Sequence, residues 1–195
     1  MDRRVQRTRD SLHRALISLM TEKGFEAVTV QDILDRANVG RSTFYAHYAG
    51  KDDLFRAGFK DLRRELEAVQ RNSLHAPRRR RFAFSLPFFE HAHGHRRVYH
   101  AIVGRRSALL VMNEFRSLFS GLVRTDLKTL PPPAQTQRLP REALVQVLAG
   151  MLLSVLTWWM EDKAALPPAE ADAVFRRVAL AVLGEMELSS AVRAE

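Results

Sequence analysis

The side chains best suited to chemistry lie between Thr29 and Tyr48, where hydrogen-bonding groups gather in one short segment. Between Arg41 and Tyr48, Phe44 is the single firmly apolar anchor, and its neighbours are Arg41, Ser42, Thr43, Tyr45 and His47. A short helix that exposes donors and aromatic rings beside a buried partner helix suits the recognition position of a helix-turn-helix. The chemistry indicated is hydrogen bonding to the phosphates and base edges of a DNA groove.

The residues before this segment predict the helix that would hold it in place. Thr29, with Asp32 three residues on, resembles a capping box. The spacing i, i+3, i+4, i+7 of one buried helix face is followed by Val30, Ile33, Leu34 and Ala37. Asn38 can adopt a left-handed turn, and Gly40 opens the next helix.

Two longer helices are predicted on either side. Residues 7–22 form a helix that Gly24 ends. Its buried stripe is Leu12, Ala15, Leu16, Leu19 and Met20. Another runs from Lys51 to about Arg71, with its inward residues at Leu54, Phe55, Leu62, Leu66 and Val69. Asp52 and Asp53 suit its positive dipole end, whereas Lys51 does not, so a phosphate partner explains this cation better than helix stability.

Composition favours a polyanionic partner. The 195 residues carry a net charge of +9, and there is no cysteine for a disulfide, a thiolate nucleophile or a thiolate metal site. Residues 1–64 contribute a net of +4 and residues 71–106 a net of +8. The run Arg78–Arg81 is either a solvated loop and helix start or an extra attraction to DNA or an anionic effector.

Residues 8–60 resemble the DNA-binding headpiece of the TetR (tetracycline-repressor-like) family of bacterial transcription regulators. The matching core is Thr29-Val30, Ile33, Ala37, Val39, Thr43-Phe44-Tyr45, His47-Tyr48 and Lys51-Asp52-Asp53-Leu54. Asn38 and Gly40 depart from the usual glycine and serine, and Gly40 removes one possible phosphate or base contact. The DNA-binding residues that the resemblance and their chemistry imply are Thr29, Gly40, Arg41, Ser42, Thr43, Tyr45, His47, Tyr48 and Lys51.

Within that set, Arg41, with Ser42 nearby, is the best candidate for base-edge readout, because arginine paired with guanine is the commonest specific contact. Phosphate contacts are expected of Thr29, Thr43, Tyr45, His47 and Lys51.

The remainder of the chain predicts further helices and no strand, so the fold class is all-α. The segments are 82–103, interrupted at Gly94 or Gly104, then 107–130, 140–163 and 168–188, with a proline-rich loop at 130–139. Two domains are expected: residues 1–50 as the helix-turn-helix headpiece and residues 51–195 as a helical effector-binding and dimerisation domain.

The uncharged stretch Ala143–Met160 is at the lower length limit for a membrane helix. A helix that is apolar all round also suits a subunit interface, where one face packs its own core and the other meets the partner. The resemblance implies a four-helix bundle between two copies, formed by the last two helices. A homodimer without membrane insertion is therefore predicted, with Trp158 and Trp159 in core and interface.

Four histidines beside Glu90 raise the question of a metal site. His91 and His95 are four residues apart and can share a metal on one helix face, but His93 points elsewhere and His100 supplies no convincing third ligand. The sequence shows no phosphate loop, serine elbow or paired-carboxylate motif. Neither an enzyme, a resident metal nor a cofactor is predicted.

Aromatic residues on two successive predicted helices can be core or can line an apolar cavity. The resemblance implies an effector cavity in this part of the chain, with candidate lining residues Phe84, Phe88, Phe89, Tyr99, Phe115 and Phe119. The polar neighbours are mostly arginine and histidine. A lipophilic or aromatic effector, neutral or anionic, is therefore expected.

Together these features predict a cytoplasmic, sequence-specific transcription regulator, released from DNA as a repressor when an effector binds. Two other classes stay open: a constitutive or architectural DNA-binding protein without an effector, and a metal-dependent enzyme using the histidines from His91 to His100.

Overall fold

A computed structural model of the chain describes residues 3–74, 81–102, 107–128, 140–161 and 166–191. Within these ranges the chain is helical without a strand, which confirms the all-α prediction. The helices are α1 (Arg3–Lys23), α2 (Val30–Ala37), α3 (Arg41–Tyr45), α4 (Lys51–Leu74), α5 (Ser85–Gly94), α6 (Arg96–Ile102), α7 (Ser107–Leu127), α8 (Arg141–Glu161) and α9 (Pro168–Ala191).

The chain divides into two compact units. Unit 1 comprises residues 1–64 and 95–114, and unit 2 comprises residues 65–94 and 115–195. Helices α4 and α7 contribute residues to both units, so neither of these helices belongs to one unit alone.

In unit 1, α1 packs against α2 and α6. The buried residues of α1 are the five predicted, Leu12, Ala15, Leu16, Leu19 and Met20. Gly24 ends the helix as predicted, with a φ of 80° that a side chain would disfavour and an N–H that donates to the Met20 carbonyl.

Helix α4 approaches α1 closely at Gly58. A Cβ built on this glycine would lie 2.0 Å from Nε2 of His13, so only the absence of a side chain permits the contact. Burial lowers the pKa of His13, and the nearby His95 lowers it further, against an opposing effect of Asp10. Burial and His95 thus both favour the uncharged form of the His13 ring.

In unit 2, α5 and α8 pack against α9 around large buried side chains. Buried polar groups also lie here: Gln70 Nε2 donates to Oδ2 of Asp126 at 2.9 Å, and the Phe82 N–H donates to the same oxygen at 3.1 Å. The Ser85 hydroxyl likewise contacts the buried Asp172 carboxylate. Hydropathy patterning does not indicate these buried polar pairs.

The predicted interruption falls at Gly94, where α5 ends, and α6 begins two residues later. The alternative break at Gly104, the loop at 130–139 and all of the arginine run except Arg81 lie outside the described residues. The Arg81 carbonyl accepts a hydrogen bond from the Arg176 guanidinium.

Candidate nucleic-acid interface

Helix α2 begins with the predicted capping box. Oγ1 of Thr29 accepts from the Asp32 backbone N–H at 3.2 Å, and the Thr29 N–H donates to the Asp32 carboxylate at 2.7 Å. Lys23 of α1 lies 2.8 Å from that carboxylate. Hydrogen bonds from Lys23 and Thr29 hold the pKa of Asp32 far below its usual range. The start of α2 is thus fixed both by its own cap and by α1.

A second ion pair joins the same two helices. The Arg36 guanidinium donates to both carboxylate oxygens of Glu22, at 2.7 and 2.8 Å, and also to the Ser18 hydroxyl. Hydrogen bonds from Arg36 and Ser18 lower the pKa of Glu22 to about 2. This two-pronged geometry restricts how α2 turns about its axis against α1.

The turn after α2 takes the left-handed conformation predicted for Asn38, with φ 52° and ψ 51°. Its N–H donates to the carbonyls of Asp35 and Leu34, and the Val39 N–H donates to Leu34 at 3.1 Å. These bonds satisfy the free carbonyls at the helix end and reverse the chain toward α3.

Helix α3 has five residues and a single buried one, Phe44. The Phe44 ring meets the rings of Tyr45 and Tyr48 at centroid distances of 5.3 and 5.7 Å. Tyr48, a predicted DNA contact, is only 6% exposed, and its hydroxyl accepts from Nε of Arg9 at 3.2 Å. Tyr48 therefore connects the segment after α3 to helix α1.

The other face of α3 is exposed. It carries the predicted contacts Arg41, Ser42, Thr43 and Tyr45, and His47 follows just beyond the helix. Tyr45 is 51% exposed although it is a large aromatic residue, and Thr29 is exposed at the start of α2. Gly40 begins α3 with φ −68° and no side-chain cap. One helix thus presents four hydrogen-bonding side chains while Phe44 alone anchors it in the core.

Arg41 has a partner on α2 that no local sequence signal indicates. Its NH2 group donates to Oε1 of Gln31 on α2 at 2.8 Å. Nε2 of Gln31 donates in turn to Oδ1 of Asp35 at 2.8 Å. The helical spacing of Gln31 and Asp35 was visible in the sequence, but the approach of Arg41 depends on the turn geometry.

Lys51 also has partners other than the expected phosphate. Its ammonium donates to the carbonyls of Phe25, Glu26 and Val28 at 2.9, 3.1 and 2.7 Å, which uses its three donors. It lies 4.8 Å from the centroid of the Phe25 ring as well. A cation at the start of α4 therefore has a structural explanation: it satisfies the loop between α1 and α2.

Most of the predicted effector residues come together in unit 2. Phe84, Phe88, Phe89 and Phe119 are buried, and the Phe88 ring lies within 4.7 to 5.8 Å of the rings of Phe89, Phe115 and Phe119. Tyr99 belongs to unit 1, where it contacts His100. The phenylalanines of unit 2 therefore contact one another as a packed cluster.

The histidines do not assemble as the metal hypothesis requires. Helix α5 ends at Gly94, so His91 and His95 do not share one continuous helix. The His93 ring lies 6.1 Å from that of Trp159. Among the residues that the structure describes, no three His, Cys, Asp or Glu side chains are grouped to hold a metal.

Helices α8 and α9 present apolar side chains on their outer surface. Trp158 is 46% exposed, whereas Trp159 is buried and donates from Nε1 to the Leu166 carbonyl. The other large apolar residues exposed here are Val147, Val174, Val178 and Leu180. Within the described residues α8 alone is long and apolar enough to cross a membrane, but a core helix meets the same criterion, and 44% of its apolar window is buried.

Comparison with known proteins supports the helix-turn-helix assignment. Residues 12–57 match the family model described as bacterial regulatory proteins, tetR family. The HTH-type transcriptional regulator YxbF of Bacillus subtilis, itself uncharacterised, is 44% identical over 55 residues, which cover 28% of this chain and 14% of that protein. The chain spans only 14% and 23% of the lengths of the curated relatives that it matches.

Solved structures share the fold along most of the chain. A TetR transcriptional regulator from Streptococcus agalactiae has a TM-score of 0.64 at 24% identity, covering 91% of this chain and 96% of its own. FadR of Thermus thermophilus, a TetR family repressor solved with lauroyl-CoA, has a TM-score of 0.55 at 18% identity, covering 88% and 93%. The likeness therefore extends beyond the headpiece to the helical C-terminal part.

Proposed function

We propose that this chain, whose residues 12–57 match the model of the tetR family of bacterial regulatory proteins, is a member of that family. On that premise it is a cytoplasmic transcription regulator that binds operator DNA as a homodimer and is released by a small-molecule effector. The observation that carries the proposal is the polar, exposed face of α3 on a helix held by Phe44. Two such helices would occupy successive major grooves of a two-fold symmetric site, and release by the effector makes the regulator a repressor.

Arg41 and Ser42 are proposed to read base edges, while Thr29, Thr43, Tyr45 and His47 hold phosphates beside Gly40. Lys51 and Tyr48 contribute through the contacts described above, and Lys51 adds its positive charge. Duplexes selected by the purified protein from a randomised pool would supply the operator. Arg41→Ala should then cost about 1–3 kcal/mol on the operator and far less on random DNA.

Tyr45→Phe is the matched variant, because it removes only a hydroxyl from the same exposed face. It should weaken binding to operator and random DNA alike, since a phosphate contact carries no sequence information. A protein that selects no sequence from the pool would contradict the proposed function, and equal losses on both DNAs for Arg41→Ala would remove its base-reading role.

The homodimer is proposed to form through the exposed apolar surface of α8 and α9. Leu152 lies near the middle of α8 but is buried in the chain's own core. A charge introduced at Leu152 would therefore disrupt the core and would not test the interface. Val178→Glu should instead yield monomers with weaker operator binding, because half-site binding loses the linked second contact. Leu109→Glu, which changes a residue 75% exposed on α7, is the control, and sedimentation is the measurement. A wild-type monomer at micromolar concentration would contradict the dimer.

We propose an effector that is lipophilic or aromatic and neutral or anionic, received within the C-terminal domain, residues 51–195. Support comes from the phenylalanine cluster of unit 2 and from the fold shared with FadR, which was solved with lauroyl-CoA. Such a ligand should raise the thermal midpoint and release operator DNA over the same concentration range. Binding of lipophilic cations alone would contradict the expected charge.

A second candidate is a constitutive DNA-binding protein. The mutual ring contacts of Phe88, Phe115 and Phe119 favour it, since a ligand entering here would have to separate side chains that already satisfy each other. Ligands that stabilise the protein without changing operator affinity would favour this candidate.

A further inference from the structure

Three exposed side chains of the headpiece form one chain of hydrogen bonds. Asp35 accepts from the Gln31 amide, and the Gln31 carbonyl oxygen accepts from the Arg41 guanidinium, each at 2.8 Å. The chain runs from the last turn of α2, along its surface, to the first residue of α3.

The charges at the two ends determine how the middle residue is oriented. A carboxylate only accepts hydrogen bonds and a guanidinium only donates them. The Gln31 amide therefore satisfies both neighbours in one orientation, with nitrogen toward Asp35 and oxygen toward Arg41. Rotating the amide by half a turn would place donor against donor and acceptor against acceptor.

The negative charge of Asp35 is unfavourable for the stability of helix α2. A negative charge in the last turn of a helix opposes the dipole, and Arg36 in the same turn has the favourable sign. An exposed carboxylate on a surface that meets phosphates also opposes DNA binding. Neither helix stability nor attraction to DNA explains this charge, whereas the orientation of Gln31 does.

Arg41 can still form hydrogen bonds with a base while it is bound to Gln31. A guanidinium has five N–H groups, and a bidentate contact with guanine uses two. The bond to Gln31 therefore restricts the orientation of the guanidinium and leaves more N–H groups than readout requires.

From this geometry we propose that Gln31 and Asp35 are positioning residues that orient Arg41, so that three side chains from two helices set the preference at one base pair. The inference rests on the proposed function and on the base-reading role of Arg41. It predicts a loss of specificity, not of general affinity, when either positioning residue changes.

The experiment compares wild type, Gln31→Ala, Asp35→Asn, Arg41→Ala and the double variant of Gln31 and Arg41. The DNAs are a duplex selected by the wild type, its single-base-pair substitutions and a random duplex. Gln6→Ala is the matched control, because Gln6 donates to Asp10 over the same four-residue spacing and distance on α1 without reaching an arginine.

Arg41→Ala should reduce discrimination roughly 5- to 150-fold at one base pair, the range for a lost bidentate contact. Gln31→Ala should lose several-fold at that same base pair, and the double variant should lose no more than Arg41→Ala. Asp35→Asn should show a smaller loss there, together with equal or higher affinity for random DNA. Gln6→Ala should change none of these, and the thermal midpoints of Gln31→Ala and Gln6→Ala should agree.

Three results would overturn the inference: unchanged discrimination in Gln31→Ala, a change at a different base pair that adds to that of Arg41→Ala, or an equal loss on every DNA. In each, wild type still selects a sequence and the proposed function stands. A wild type that selects no sequence overturns the proposed function, and the inference falls with it.

Discussion

Helices α2 and α3 are stabilised mainly by polar contacts, whereas helix α8 is stabilised mainly by apolar packing. Helices α2 and α3 bury only Ile33, Leu34 and Phe44, and their order depends on caps, ion pairs and hydrogen bonds at the surface. Helix α8 alone buries seven residues, including Trp159, and all seven are apolar. The first region is therefore expected to respond to pH and polar substitutions, and the second to changes in side-chain volume.

The largest effect is expected from removing apolar volume in unit 2. Phe88→Ala deletes a fully buried ring that meets three others, and should lower the free energy of unfolding by about 3–5 kcal/mol. Leu109→Ala, at an exposed position, should change it little. Denaturant unfolding measures both, and a small loss for Phe88→Ala would mean that the cluster is loosely packed and open to a ligand.

A substitution of Lys51 tests how much its hydrogen bonds stabilise unit 1. Lys51→Met leaves three backbone carbonyls without their donor and should cost about 1–3 kcal/mol of stability. Lys60→Met, at an exposed position on the same helix, is the control for loss of charge. If Lys51→Met left the thermal midpoint unchanged and only reduced the salt dependence of DNA binding by about one phosphate, the lysine would be a phosphate ligand after all.

The effect of a substitution at residue 38 on stability should depend only on how well the new residue adopts the left-handed backbone conformation. Asn38→Val introduces a β-branched side chain at φ 52° and should destabilise the headpiece by about 1–2 kcal/mol. Asn38→Gly tolerates the same conformation and should fall close to the wild type. Thermal unfolding of the pair separates the effects, and equal midpoints would show that the left-handed geometry is not required.

The smallest effect is a pH dependence carried by surface carboxylates. Because the pKa of Glu22 is lowered to about 2, its pairing stabilises the folded state above its ordinary pKa of about 4.5 and is lost as the pH falls from there toward 2. Asp32 contributes in the same direction. Glu22→Gln should flatten this part of the curve of thermal midpoint against pH, whereas Glu65→Gln, on the exposed surface of α4, should leave it unchanged. Equal flattening in both would contradict the role of the ion pair.

The headpiece was well predicted because its signals are local. The capping of α2 by Thr29, the left-handed Asn38 and the Gly24 helix end each depend on residues within one or two turns. A family match over residues 12–57 then agreed with the motif.

The parts that sequence did not predict depend on contacts between distant segments. Lys51 lies far from residues 25–28 along the chain but meets their carbonyls, and Arg41 meets Gln31 only because the turn brings the two helices together. The same limit applies to the phenylalanines, whose spacing allowed either a lined cavity or a packed cluster. Helical periodicity states which side is inward but not which side chains meet there.

In helix α3 the residue that anchors the helix is separate from the residues that are proposed to contact DNA. Because Phe44 is its single buried residue, positions 41, 42, 43 and 45 can be replaced together without removing core volume. The proposed DNA contacts and the structural anchor are therefore different residues of the same short helix. Under the proposed function, substitutions at these four positions can therefore change the DNA sequence that is bound while Phe44 keeps its place in the core.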